Sequence, residues 1–182
     1  PLYMGKTTKG ILQALFEMQG RRDRQVLDFK EQGSAYNSVP IKRDIREFNS
    51  GTKFKIDSLE ILPIHVDHSI PGAYGFIIYT SSGPIVYTGD LRLHGTKPQM
   101  TREFIDAAKK EKPIALLAEG THIKDPPKDE SESKVFDDGL NVVSRENSFV
   151  FADFNPRDVD RLRTFYNIAK RTNRKFVINL KN

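Results

Sequence analysis

Tyr74-Gly75-Phe76-Ile77-Ile78-Tyr79-Thr80, then Ser81-Ser82-Gly83-Pro84, then Ile85-Val86-Tyr87-Thr88-Gly89-Asp90 is the stretch that decides the fold. Two runs rich in β-branched and aromatic residues flank a Ser-Ser-Gly-Pro turn, which reads as strand, turn, strand. Upstream, Leu59 to Val66 is a further strand candidate. Thr52-Lys53-Phe54-Lys55-Ile56 alternates as a half-buried strand does. Together these runs predict an antiparallel meander. Downstream, the rhythm turns to alternating helix and strand. Thr101 to Lys112 reads as a helix capped by Thr101. Ile114 to Ala118 is a continuous apolar run, expected of a strand buried on both faces. Ser133 to Arg145 places Phe136, Leu140 and Val143 on one helical face.

Phe149 to Ala152 reads as another buried strand, and Phe176 to Ile178 as the next. Between them Asn155, Pro156 and Asp158 signal a helix start, and Val159, Leu162, Tyr166 and Ala169 keep helical spacing. The span from Phe149 to Leu180 therefore predicts a right-handed parallel βαβ unit. At the other end, Thr7 to Met18 reads as a helix with Ile11, Leu15 and Met18 on one face, and Gln19 to Gly51 is charged and irregular. Lys124 to Glu130, with Pro126-Pro127 amid mixed charge, marks a domain boundary between 1–125 and 126–182. The class is α/β.

The 182 residues are enough for one domain or parts of two. No apolar run approaches the ~20 residues of a membrane helix, and no signal peptide is visible, so a cytoplasmic location is expected. Cysteine is absent, which excludes disulfides and thiolate metal sites and leaves His, Asp and Glu as metal donors. The net charge of +5 favours a polyanionic partner. Several of the cations, Arg157, Arg161, Arg163, Lys170, Arg171, Arg174 and Lys175, crowd the last helix and the strand after it, where phosphate contact or a solvated face are the two readings.

Three strand candidates end in a carboxylate: Asp90, Glu119 and Asp153. Ligands in layered α/β folds sit beyond the carboxyl ends of strands, where such groups reach a metal or act as a base. For each one alone, a turn cap or salt bridge is the plain alternative. A second cluster is His65-Val66-Asp67-His68-Ser69-Ile70-Pro71-Gly72. Pro71-Gly72 breaks the ladder, and His68 at the strand end can offer a ring nitrogen to an open site.

His68-Ser69-Ile70-Pro71-Gly72, followed by Thr88-Gly89-Asp90-Leu91-Arg92, resembles the third and fourth motifs of metallo-β-lactamase-fold nucleases. Leu117-Ala118-Glu119-Gly120-Thr121 resembles the first motif of the β-CASP extension found in RNase J-type enzymes. The resemblance covers roughly residues 52–182. It implies a partial metallo-β-lactamase αββα fold followed by the start of a Rossmann-like β-CASP domain. It also implies a dinuclear zinc site in which His68 ligates one ion and Asp90 bridges both. Glu119 becomes the acid that orients a downstream His. The implied activity is hydrolysis of RNA phosphodiesters, exo- or endonucleolytic, with RNA as partner, no membrane, and a homodimer admitted. A DNA-processing nuclease of the same family, a catalytically inactive paralogue that binds nucleic acid or a partner, and a small-molecule hydrolase of the fold are the alternatives. The family's H-x-H-x-D-H segment is absent: Pro63-Ile64-His65-Val66-Asp67-His68 comes near it but is expected to lead into a strand, where that motif leads into a helix. The motif is thus expected upstream of Pro1, the remaining His motifs beyond Asn182, and the polypeptide alone is expected to bind zinc weakly and cleave nothing.

Overall fold

The structure is a computed structural model and describes residues 1–19, 44–121, 124, 130–155 and 157–178. Its fold is mixed α/β. A two-stranded parallel sheet is formed by β1 (Leu2–Gly5) and β2 (Ile45–Phe48), with α1 (Lys6–Gln19) following β1. The main sheet has five strands in sequence order: β3 (Phe54–Ile56), β4 (Leu59–His65), β5 (Tyr74–Thr80), β6 (Gly83–Tyr87) and β7 (Ala115–Leu117). The first four run antiparallel, as the meander reading expects, and β7 joins β6 in parallel across helix α2 (Pro98–Lys110). Helices α3 (Glu132–Arg145) and α4 (Val159–Arg171) pack against each other.

Alternation along β5 divides the core. Ile77 faces one side, where Val66, Val86 and Phe104 of α2 join it in a fully buried cluster. Tyr74 and Phe76 face the other side and meet Phe48 of the small sheet edge-on, with ring centroids 4.9 and 5.8 Å away. Phe48 stacks in turn on Phe54 at 5.1 Å. The main sheet is thus covered by a helix on one face and by the aromatic face of the small sheet on the other.

Four expectations are corrected. Thr101 does not cap α2: Pro98 in the first turn starts the helix earlier, and Thr101 lies buried inside it. Strand β7 forms at the edge of the sheet, but its side chains are exposed, Leu116 by 64%, because among the described residues β6 is the one element that packs closely against it and its faces are left uncovered. Phe149 to Ala152 and Phe176 to Ile178 are not strands. An apolar run becomes a strand only beside a partner that takes its backbone hydrogen bonds, and neither finds one among the described residues. Phe149 and Phe151 are 93% and 94% exposed, and the βαβ ladder is not formed. Finally, the α4 cap is Asp158, whose carboxylate accepts from the Arg161 N–H at 3.0 Å. Asn155 makes a local turn instead, accepting from the Arg157 N–H at 3.0 Å. Pro156 and residues 125–129 of the expected boundary lie outside the described residues.

Candidate functional site

Sheet topology brings three of the singled-out residues to one edge. His65 pairs with Tyr74, and Tyr87 pairs with both Phe76 and Leu117. The C-terminal ends of β4, β6 and β7 therefore lie side by side with the N-terminal end of β5. His68 follows β4, Asp90 follows β6, and Glu119 follows β7. Asp153 does not share this edge as a strand-end carboxylate, since the segment before it is not a strand.

The turn that carries Asp90 has its shape set locally. Gly89 has φ +57°, and a Cβ there would lie 2.6 Å from the Tyr74 carbonyl oxygen, so only glycine fits beside β5. The buried Thr88 N–H donates to the Leu117 carbonyl at 3.0 Å, continuing the β6–β7 pairing. Glu119 closes the turn from the far side: its carboxylate accepts from the Leu91 N–H at 2.7 Å and from the Thr121 hydroxyl at 3.1 Å. Its backbone N–H reaches the Thr88 hydroxyl at 3.3 Å. Glu119 thus holds the backbone beside Asp90.

The turn that carries His68 is held from the other side. Gly72 approaches the N-terminal turn of α1, and the Thr8 hydroxyl donates to the Gly72 carbonyl at 2.8 Å. After this turn the chain enters β5, a strand, as the sequence reading requires. His68 is half-buried, whereas Asp90 is exposed.

Beneath the edge lies a set of residues to which the sequence reading assigned no role. Asp67, next to His68, is buried, and its N–H donates to the Thr101 hydroxyl at 2.9 Å. That hydroxyl donates onward to the Arg92 carbonyl at 2.8 Å. The Arg92 guanidinium pairs with Asp67 at 3.3 Å and also with Asp160 of α4. No local spacing announces this network; its members are far apart in sequence.

The other histidines play different parts. His65 lies against the Tyr74 ring at 4.2 Å, and its backbone N–H donates to Ser50 Oγ at 2.9 Å. Burial, with a smaller push from the Lys97 charge, lowers its pKa below the ordinary imidazole value. The His94 carbonyl accepts from the Glu132 N–H at 3.0 Å, tying α3 to this end of the molecule. His122 lies outside the described residues. Of the basic residues, Arg161 bonds Glu132, and Arg174 donates to the carbonyls of Glu146 and Ser148. Lys170 and Arg171 line a shallow groove with Phe136 and Asn167 between α3 and α4.

An imidazole and a carboxylate are donors of the kind zinc takes, but a catalytic zinc needs three protein ligands. No group of three or more metal-binding side chains is assembled among the described residues. These residues do not complete a metal site by themselves. No helix among them is long and apolar enough to cross a membrane.

Comparison with known proteins gives a distant similarity. The chain is 27% identical to ribonuclease J of Thermus thermophilus over 179 residues, 96% of this chain and 28% of that protein. It is 26% identical to ribonuclease J 1 of Streptococcus pyogenes over 137 residues, 74% of this chain and 24% of the relative. It is 27% identical to ribonuclease J 2 of Staphylococcus saprophyticus over 135 residues, 70% and 23% of the two chains. The chain thus spans about a quarter of the length of these relatives. A crystal structure of a protein of unknown function from Enterococcus faecalis V583 shares the fold, with a TM-score of 0.68 and 26% identity over 93% of this chain and 39% of that one. No family model matches.

Proposed function

We propose that this chain is a portion of a zinc-dependent phosphodiester hydrolase acting on RNA, of the metallo-β-lactamase/β-CASP type and similar to ribonuclease J. The observation that carries the reading is the convergence of His68, Asp90 and Glu119 at one sheet edge, in a chain similar to ribonuclease J over most of its length. In this reading residues 1–125 belong to the metallo-β-lactamase domain and 126–182 begin the β-CASP domain. His68 and Asp90 are two ligands of a dinuclear site whose other ligands come from sequence outside these residues. Zinc, when bound, supplies a hydroxide at neutral pH and charge to offset that of the phosphate. Glu119 keeps the Asp90 turn in register through the Leu91 N–H. Lys170 and Arg171, which line the groove between α3 and α4, are the candidates for phosphate contact in this reading.

The first test is to read the coding sequence upstream of Pro1. An H-x-H-x-D-H segment there supports the nuclease; other residues at those positions leave an inactive, nucleic-acid-binding relative. The second test uses the full-length product with zinc and labelled ribo- and deoxyribo-oligonucleotides. Cleavage of the RNA, lost in His68→Ala and Asp90→Ala, is the expected outcome. Cleavage of DNA alone points to the DNA-processing branch, and activity unchanged in both variants refutes the assignment.

A further inference from the structure

We propose that Arg92 is a positioning residue that locks the turns carrying His68 and Asp90 to each other and to helix α4. Its effect on metal binding rests on the reading of His68 and Asp90 as ligands; the clamp itself does not. Arg92 stands two residues after Asp90, and its side chain is 10% exposed. Asp67 directly precedes His68 and is buried. The Arg92 Nε and one terminal nitrogen each approach one Asp67 carboxylate oxygen at 3.3 Å. The same terminal nitrogen pairs with Asp160, whose other oxygen accepts from the Thr96 hydroxyl at 2.9 Å.

The backbone repeats the connection. The Arg92 N–H donates to the Asp67 carbonyl at 2.9 Å. The Lys97 N–H donates to the second Asp67 oxygen at 3.2 Å. Gly95 is required beside this pair, because a Cβ there would overlap both the Arg92 guanidinium and the Asp67 carboxylate. One planar cation thus serves two carboxylates from separate parts of the chain. A lysine offers a single point charge and cannot span both in this geometry. Without the cation, two poorly solvated carboxylates face each other, and the three segments separate.

The test uses the full-length product with Arg92→Met, Arg92→Lys and Asp160→Asn, read by amide hydrogen exchange, by zinc competition with a chromogenic chelator, and by the visible spectrum of added cobalt(II). In Arg92→Met, exchange is expected to rise together in 66–73, 88–97 and 159–162, while far-UV circular dichroism is retained. Zinc affinity falls at least tenfold, the range seen when the groups orienting ligands are removed. The cobalt bands shift, which a general loss of stability would not produce. Arg92→Lys gives an intermediate result. Asp160→Asn loosens 159–162 and leaves 66–73 protected. A folded Arg92→Met whose exchange rises only in 88–97 overturns the clamp. If Arg92→Met does not fold, Arg92→Lys decides by the same pattern. If His68→Ala and Asp90→Ala leave zinc affinity unchanged, the ligand reading fails, and the exchange pattern alone decides for or against Arg92.

Discussion

Replacing Glu132 by Gln tests whether the α3–α4 pair is held by charge. Glu132 is buried at the start of α3. Its carboxylate accepts from Arg161 at 2.9 and 3.2 Å and from the Thr164 hydroxyl at 2.8 Å. Burial is the largest influence on its pKa and pushes it up, yet the Arg161 and Thr164 hydrogen bonds, with the charges of Arg161 and Arg92, outweigh it and leave the value lowered. Glutamine keeps the shape and one acceptor but turns an amide toward the guanidinium. Hydrogen bonds to charged groups are worth about 1.5–3 kcal/mol each. Arg161 is partly exposed, which discounts its share. The expected loss is about 2 kcal/mol at pH 7. The sign with pH follows from the lowered pKa: the stabilisation is complete above the unfolded-state value near ~4.3 and is lost as pH falls through the folded value. Urea unfolding of both proteins followed by far-UV circular dichroism, at pH 7 and at steps below 5, gives the comparison; the chain has no tryptophan to report instead. A loss under about 0.5 kcal/mol at pH 7, or a difference that persists undiminished in acid, refutes the argument.

Phe104→Ala removes the ring packed on Ile77 and Val86 and should cost about 3–5 kcal/mol by thermal or urea unfolding. Gly89→Ala forces a left-handed residue against the Tyr74 carbonyl. It should lower stability by about 1–3 kcal/mol and loosen the Asp90 turn in hydrogen exchange. His65, with its lowered pKa, is protonated in the unfolded chain before the folded one as pH falls. Stability should therefore decline from about pH 6.5 downward until the folded value is passed, and His65→Gln should flatten that slope in a series of melting temperatures.

The meander was legible because each strand pairs with its sequence neighbour, so alternation and turn residues within a short window carry the information. The pairing of Leu2–Gly5 with Ile45–Phe48 was not, since nothing local marks a short strand whose partner lies far along a charged stretch. The runs at 149–152 and 176–178 misled for the converse reason: composition signals a wish to be buried, and only a neighbouring strand grants it. At the edge, strand ends marked His68, Asp90 and Glu119 as candidates, and the resemblance to metallo-β-lactamase-fold nucleases gave them their roles. Asp67 and Arg92 could not be ranked, because an ion pair between distant positions leaves no periodic trace.

The order in which the strands pair bears on how the molecule assembles. Joining β4 to β5 closes a loop of about ten residues, whereas joining β1 to β2 brings together positions about 40 apart. At roughly 0.6 kcal/mol per doubling, the second closure carries about 1.2 kcal/mol more entropic cost. The meander can zip from hairpin to hairpin, and the small sheet must wait for its aromatic face to find Tyr74 and Phe76. Helix α1 arrives with that sheet, and with it the Thr8 hydroxyl that holds Gly72. The His68 turn is thus the late-forming side of the edge, while the Asp90 turn is braced from within the zipped sheet.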